Sequence, residues 1–136
     1  MRAIIDTSMS ILRANQQSGD HMKISEILSD KNVATGTKLT VRGIFVLEGD
    51  TGYLVQSKEN FRDKSCAIMV DFRDLKELLF STVPPYGGSV YSYFNDAVIT
   101  GTLMQSSNID FPLALINIVE LTLYVSEEEF RVIPST

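Results

Sequence analysis

The chain has 136 residues, is 44% hydrophobic and carries a formal net charge of −5. That length fits one domain whose core needs no disulfide or metal staple, and a lone cysteine, Cys66, excludes an intrachain disulfide. Acidic balance argues against strong non-specific attraction to polyphosphate backbones and to anionic membranes. No apolar run approaches the ~18 residues of a membrane span. Asp6 cuts short the apolar start at Ile4 and Ile5, so no secretory segment is read and a cytoplasmic setting is expected.

Residues 1–21 stand apart. Ile5, Met9 and Leu12 fall at helical spacing before a polar run from Asn15 to Asp20, so this stretch reads as an arm, helical or disordered. Ile24, Ile27 and Leu28 predict a short amphipathic helix over 23–29. Leu39 to Leu47 alternates and predicts a first strand, bent at Gly43. A glycine turn at 48–52 leads to a second strand, Tyr53 to Ser57. A charged hairpin loop at 58–65 carries Phe61, and Cys66 to Phe72 predicts a third strand. Leu75, Leu78 and Leu79 predict a helix over 74–82, with Asp71 or Asp74 placed to cap it. Pro84 and Pro85 end that helix. Residues 83–94 then read as an aromatic connector. Ala97 to Met104 predicts a fourth strand, with Gly101 inside it as a second bend or bulge. A polar loop at 105–112 precedes a fifth strand, Leu115 to Val125. There Ile116, Ile118, Glu120 and Thr122 are expected to oppose Asn117, Val119, Leu121 and Leu123. The expected core includes Val41, Phe45, Ile68, Val70, Leu75, Leu78, Ile99 and Leu121.

The order of three strands, a helix and two strands resembles the OB-fold superfamily of oligonucleotide- and oligosaccharide-binding domains. The segment Lys38 to Val46 looks like that superfamily's bent opening strand, and Val98 to Leu103 looks like its fourth. The resemblance spans about residues 23–125. It implies a mainly β chain: a five-stranded OB-like Greek-key barrel with a helix between strands 3 and 4 and a short N-terminal helix. The expected division is an arm at 1–21, a barrel domain at 22–126 and a C-terminal tail at 127–136. The resemblance also implies a ligand surface on the outer face of strands 2 and 3, around Tyr53, Val55 and Ser57. The turn at 48–52 and the loop at 105–112 would flank it.

Nothing in the sequence arranges residues for catalysis. His21 is the only histidine and falls in the arm, and Cys66 has no histidine near it in sequence. One Cys and one His cannot supply a zinc spacing, and no glycine-rich loop ends in a phosphate-binding lysine. A binding module without enzymatic activity, cofactor or metal is therefore expected. Two ligand classes compete for it. Single-stranded nucleic acid would use Arg42, Tyr53, Lys58, Phe61, Arg62 and Lys64, rings for stacking with cations around them. A protein partner, in an adaptor, inhibitor or immunity-type role, would use Tyr86, Tyr91 and Tyr93. The acidic balance and the scarcity of stacking rings favour the protein.

Overall fold

The computed structural model describes residues 21–29, 35–85 and 91–133. The expected arm, up to residue 20, and Tyr86 lie outside the described residues. The chain is mainly β. Its strands are β1 (His21–Lys23), β2 (Lys38–Glu48), β3 (Thr51–Val55), β4 (Ala67–Val70), β5 (Tyr91–Gln105), β6 (Leu113–Val125) and β7 (Glu128–Ile133). Among the described residues two α-helices accompany them, α1 (Ile24–Ser29) and α2 (Leu75–Thr82). No helix among the described residues is long and apolar enough to cross a membrane.

All seven strands belong to one sheet. β2 turns into β3 through Gly49, whose φ of +60° suits a residue without a Cβ. β3 pairs antiparallel with β4, and β4 runs parallel to β6. β6 pairs antiparallel with β5, and β5 pairs antiparallel with β2 along its length. The pairings thus return to β2, and five strands form a ring with α2 inserted between β4 and β5. β1 adds to β2 in parallel and β7 adds to β6 antiparallel.

The two glycines expected to bend strands act differently. At Gly101 the β5–β6 register shifts between Thr100 and Thr102, which is a bulge. A methyl there would come within 2.8 Å of Ile118 Cδ1 and 2.9 Å of the Ile116 carbonyl. Gly43 keeps a regular register with Ala97 of β5. Its other edge changes partner there, from β1 to β3, and a Cβ would collide with the Ile24 side chain of α1.

The inner face of the ring holds the main core. Val41, Phe45, Leu47, Leu54, Ile68, Ile99, Leu115 and Leu121 meet there, with Ile24 and Ile27 of α1 and Leu75 and Leu79 of α2. Alternation explains the set on β2, where odd positions face inward. Most expected core residues are buried, but Leu78 is only half-buried and Leu79 takes the central place. Asp74 precedes α2 as its N-cap residue, yet its side chain makes no capping bond.

Three expectations are corrected. The fifth-strand alternation breaks at the bulge: Asn117 adopts φ +49°, Ile118 turns into the core, and Val119 is exposed. The two extra residues on β6 keep odd positions inward on both sides, at Leu115 and Leu121, and disturb the alternation only within the bulge. The connector ends sooner than expected, because Tyr91 to Phe94 already belong to β5. The stretch expected as a tail carries β7, in which Val132 is buried against the core.

Candidate binding surface

The outer face of β2, β3 and β4 carries a second apolar cluster. Ile44 and Val46 of β2, Tyr53 and Val55 of β3 and Ala67 of β4 are buried in it. They point outward from the ring, so something must cover them. Phe111, 4% exposed, comes from the loop between β5 and β6, and its ring lies 5.4 Å from that of Tyr53. Phe61 comes from the loop between β3 and β4, and Met69, Tyr91 and Phe94 complete the layer.

Phe61 is the hub of the part that reaches solvent. Its ring centre is 5.2 Å from Tyr91, edge to face, and 4.8 Å from Phe94. The first is the edge-to-face geometry that aromatic pairs favour, and the second is tilted at 43°. Arg62 sits over the Phe61 ring at 5.1 Å, and Lys58 over the Phe94 ring at 5.6 Å. Cations in these places are attracted by the ring quadrupole. A bulge at the Leu47/Glu48 position of the β2–β5 pairing brings Tyr91 opposite Glu48. Tyr91 therefore joins the outer layer while Tyr93, two residues on, enters the inner core.

The Phe61 loop is built from two short 3-10 turns, Lys58–Asn60 and Lys64–Cys66. Asp63 caps the second turn by accepting from the Ser65 backbone N–H at 3.1 Å. The Ser65 hydroxyl also donates to this carboxylate, and the Cys66 thiol donates to it at 3.4 Å. The Ser65 hydroxyl, followed by the Cys66 thiol, holds the Asp63 carboxyl below the usual carboxylate range. Lys64 reaches Glu48 of β2 at 3.1 Å and ties the loop to the sheet.

The structure redistributes the residues expected to bind. Lys58, Phe61 and Arg62 come together with Tyr91, which sequence reasoning had placed in the rival set. Tyr53 is 0% exposed and offers no face to a stacking base. Tyr93 is 1% exposed, and its hydroxyl donates to the Val83 carbonyl at 2.5 Å, so it is a core residue and no partner anchor. Lys64 is engaged by Glu48. Arg42 is exposed in the half of β2 that pairs with β1, apart from β3. Phe94, Phe111 and Met69 were missed. For Phe94 the signal was its place in a strand hidden behind two prolines; Phe111 carried none, since a loop delivers it.

Among the described residues no three His, Cys, Asp or Glu side chains cluster to hold a metal. No protein-family model, curated protein or solved structure matches this chain.

Proposed function

We propose that the chain is a non-catalytic, OB-like binding module that takes a protein partner on the aromatic layer outside β2, β3 and β4. The OB-like reading is supported by the ring of five strands with α2 inserted after the third. The half-buried Phe61, Tyr91 and Phe94 rings, with Arg62 and Lys58 set over them, are the observation that carries the binding reading. Aromatic rings and arginine are the side chains that most often dominate protein interfaces. Ile109 adds an apolar side chain that is 98% exposed, two residues before Phe111 on the flanking loop.

Two features favour protein over single-stranded nucleic acid. The chain's own cations already lie over the Phe61 and Phe94 rings that bases would stack on. The local charge is also balanced: Lys58, Arg62 and Lys64 stand against Glu48, Glu59 and Asp63, and phosphate binding calls for an excess of cations. A titration with fluorescent single-stranded oligonucleotides at low and moderate salt should be flat. Affinity capture with nuclease present should recover a protein with the wild type and lose it with Phe61→Ala and Arg62→Ala. Tight, salt-sensitive oligonucleotide binding abolished by Phe61→Ala would replace the protein reading with the nucleic-acid one.

A further inference from the structure

The Tyr53 hydroxyl is buried and has no hydrogen-bond partner among the described residues. A buried hydroxyl left unmade is costly, and such groups are uncommon in folded proteins. Its position is the informative part. The ring sits on β3 under the aromatic layer, against Phe111 and within the cluster that Phe61 covers. The hydroxyl also feels the charges of Glu48 and Arg62 at the rim. An unanswered donor thus lies at the floor of the surface where the partner is placed.

We infer that the Tyr53 hydroxyl is the polar anchor of this surface: a bound polypeptide presents a neutral backbone carbonyl to it, beside an apolar side chain set against Tyr91 and Phe94. This rests on the protein-partner reading. Entry to the hydroxyl would be at Phe61, because its segment pairs with no strand and its ring is only half-buried, whereas Phe111 is nearly enclosed. The acceptor is taken as neutral because Lys58, Arg62 and Lys64 around the layer are matched by Glu48, Glu59 and Asp63, so the rim has no excess of cations to hold an anion. Burial, then Glu48, pushes the phenol up to about 12, so it remains a donor at all physiological pH.

The test uses a displayed library of random twelve-residue peptides, selected on the full chain. Binders that Arg62→Ala weakens are then measured on Tyr53→Phe. Losing one hydrogen bond to a neutral acceptor should weaken them by about three- to tenfold, while the melting temperature of Tyr53→Phe stays level or rises. Arg62-sensitive peptides that bind Tyr53→Phe as well as wild type would overturn the role of the hydroxyl alone. A marked drop in melting temperature would also overturn it, by showing that the hydroxyl has a partner within the fold. A library yielding no Arg62-sensitive peptide would overturn the protein-partner reading and this inference with it.

Discussion

The inner core and the outer aromatic layer each contain a fully buried tyrosine, and the two are built differently. Tyr93, in the inner core, gives its hydroxyl to the Val83 carbonyl at the end of α2. Tyr53, in the outer layer, gives its hydroxyl to no group among the described residues. The inner core draws on strands from all around the ring and on both helices, and its polar needs are met. The outer layer covers one face with rings delivered by two loops, and it leaves a donor unanswered. The comparison separates an apolar core whose tyrosine is bonded within the fold from an apolar layer that the proposed function assigns to contact.

The largest test of the contrast is Leu79→Ala. It removes a fully buried α2 side chain from the inner core and should cost about 2–5 kcal/mol in denaturant unfolding. Leu78→Ala, at the half-buried neighbour, should cost clearly less. Alkali acts on both regions. Burial raises both tyrosines from 10.0 to about 12. Each folded-state value lies above its unfolded one, so the stabilisation is complete below pH 10. It is lost as pH rises toward 12, by at most about 1.4 kcal/mol per pH unit for each ring. Urea melts across that window should show the fall, and each Tyr→Phe variant should blunt it. Gly101→Ala should cost about 1–3 kcal/mol, because the bulge leaves no room for a methyl against the Ile116 carbonyl. Tyr93→Phe strands the Val83 carbonyl and should cost about 1–2 kcal/mol at neutral pH, whereas Tyr53→Phe should cost nearly nothing. Equal costs at the two positions would dissolve the distinction between the regions.

The sequence made the inner half of the molecule readable. Period-two alternation in Leu39–Leu47 marked the inward residues, and Leu75, Leu78 and Leu79 marked α2. Gly101 announced the bulge, since only glycine tolerates the close approach. The outer layer was less legible because its parts are far apart in sequence: Phe61, Tyr91, Phe94 and Phe111 meet only after the strands pair. Tyr91 and Tyr93 look equivalent in the sequence, yet a bulge sends them to opposite faces. Tyr53 was legible as outward-facing, but its burial depends on a cover that no local pattern encodes. β7 was hidden because Glu127, Glu128 and Glu129 read as a solvated end, although Phe130 and Val132 follow them.

The closure of the ring has a kinetic consequence. Thr40 of β2 and Thr100 of β5 share a hydrogen bond of 2.8 Å across 60 residues of chain. β4 must likewise wait for Leu113–Leu115 before its second edge is satisfied. Topologies ruled by such distant pairings fold in roughly milliseconds to seconds. On a ribosome adding ~5–20 residues per second, β2, β3 and β4 emerge seconds before β5 and β6. For that interval their edges expose unpaired backbone amides and carbonyls, the features that invite pairing with other nascent chains. Crowding during synthesis, more than any weakness of the finished ring, is then the point at which this chain is most exposed to misassembly.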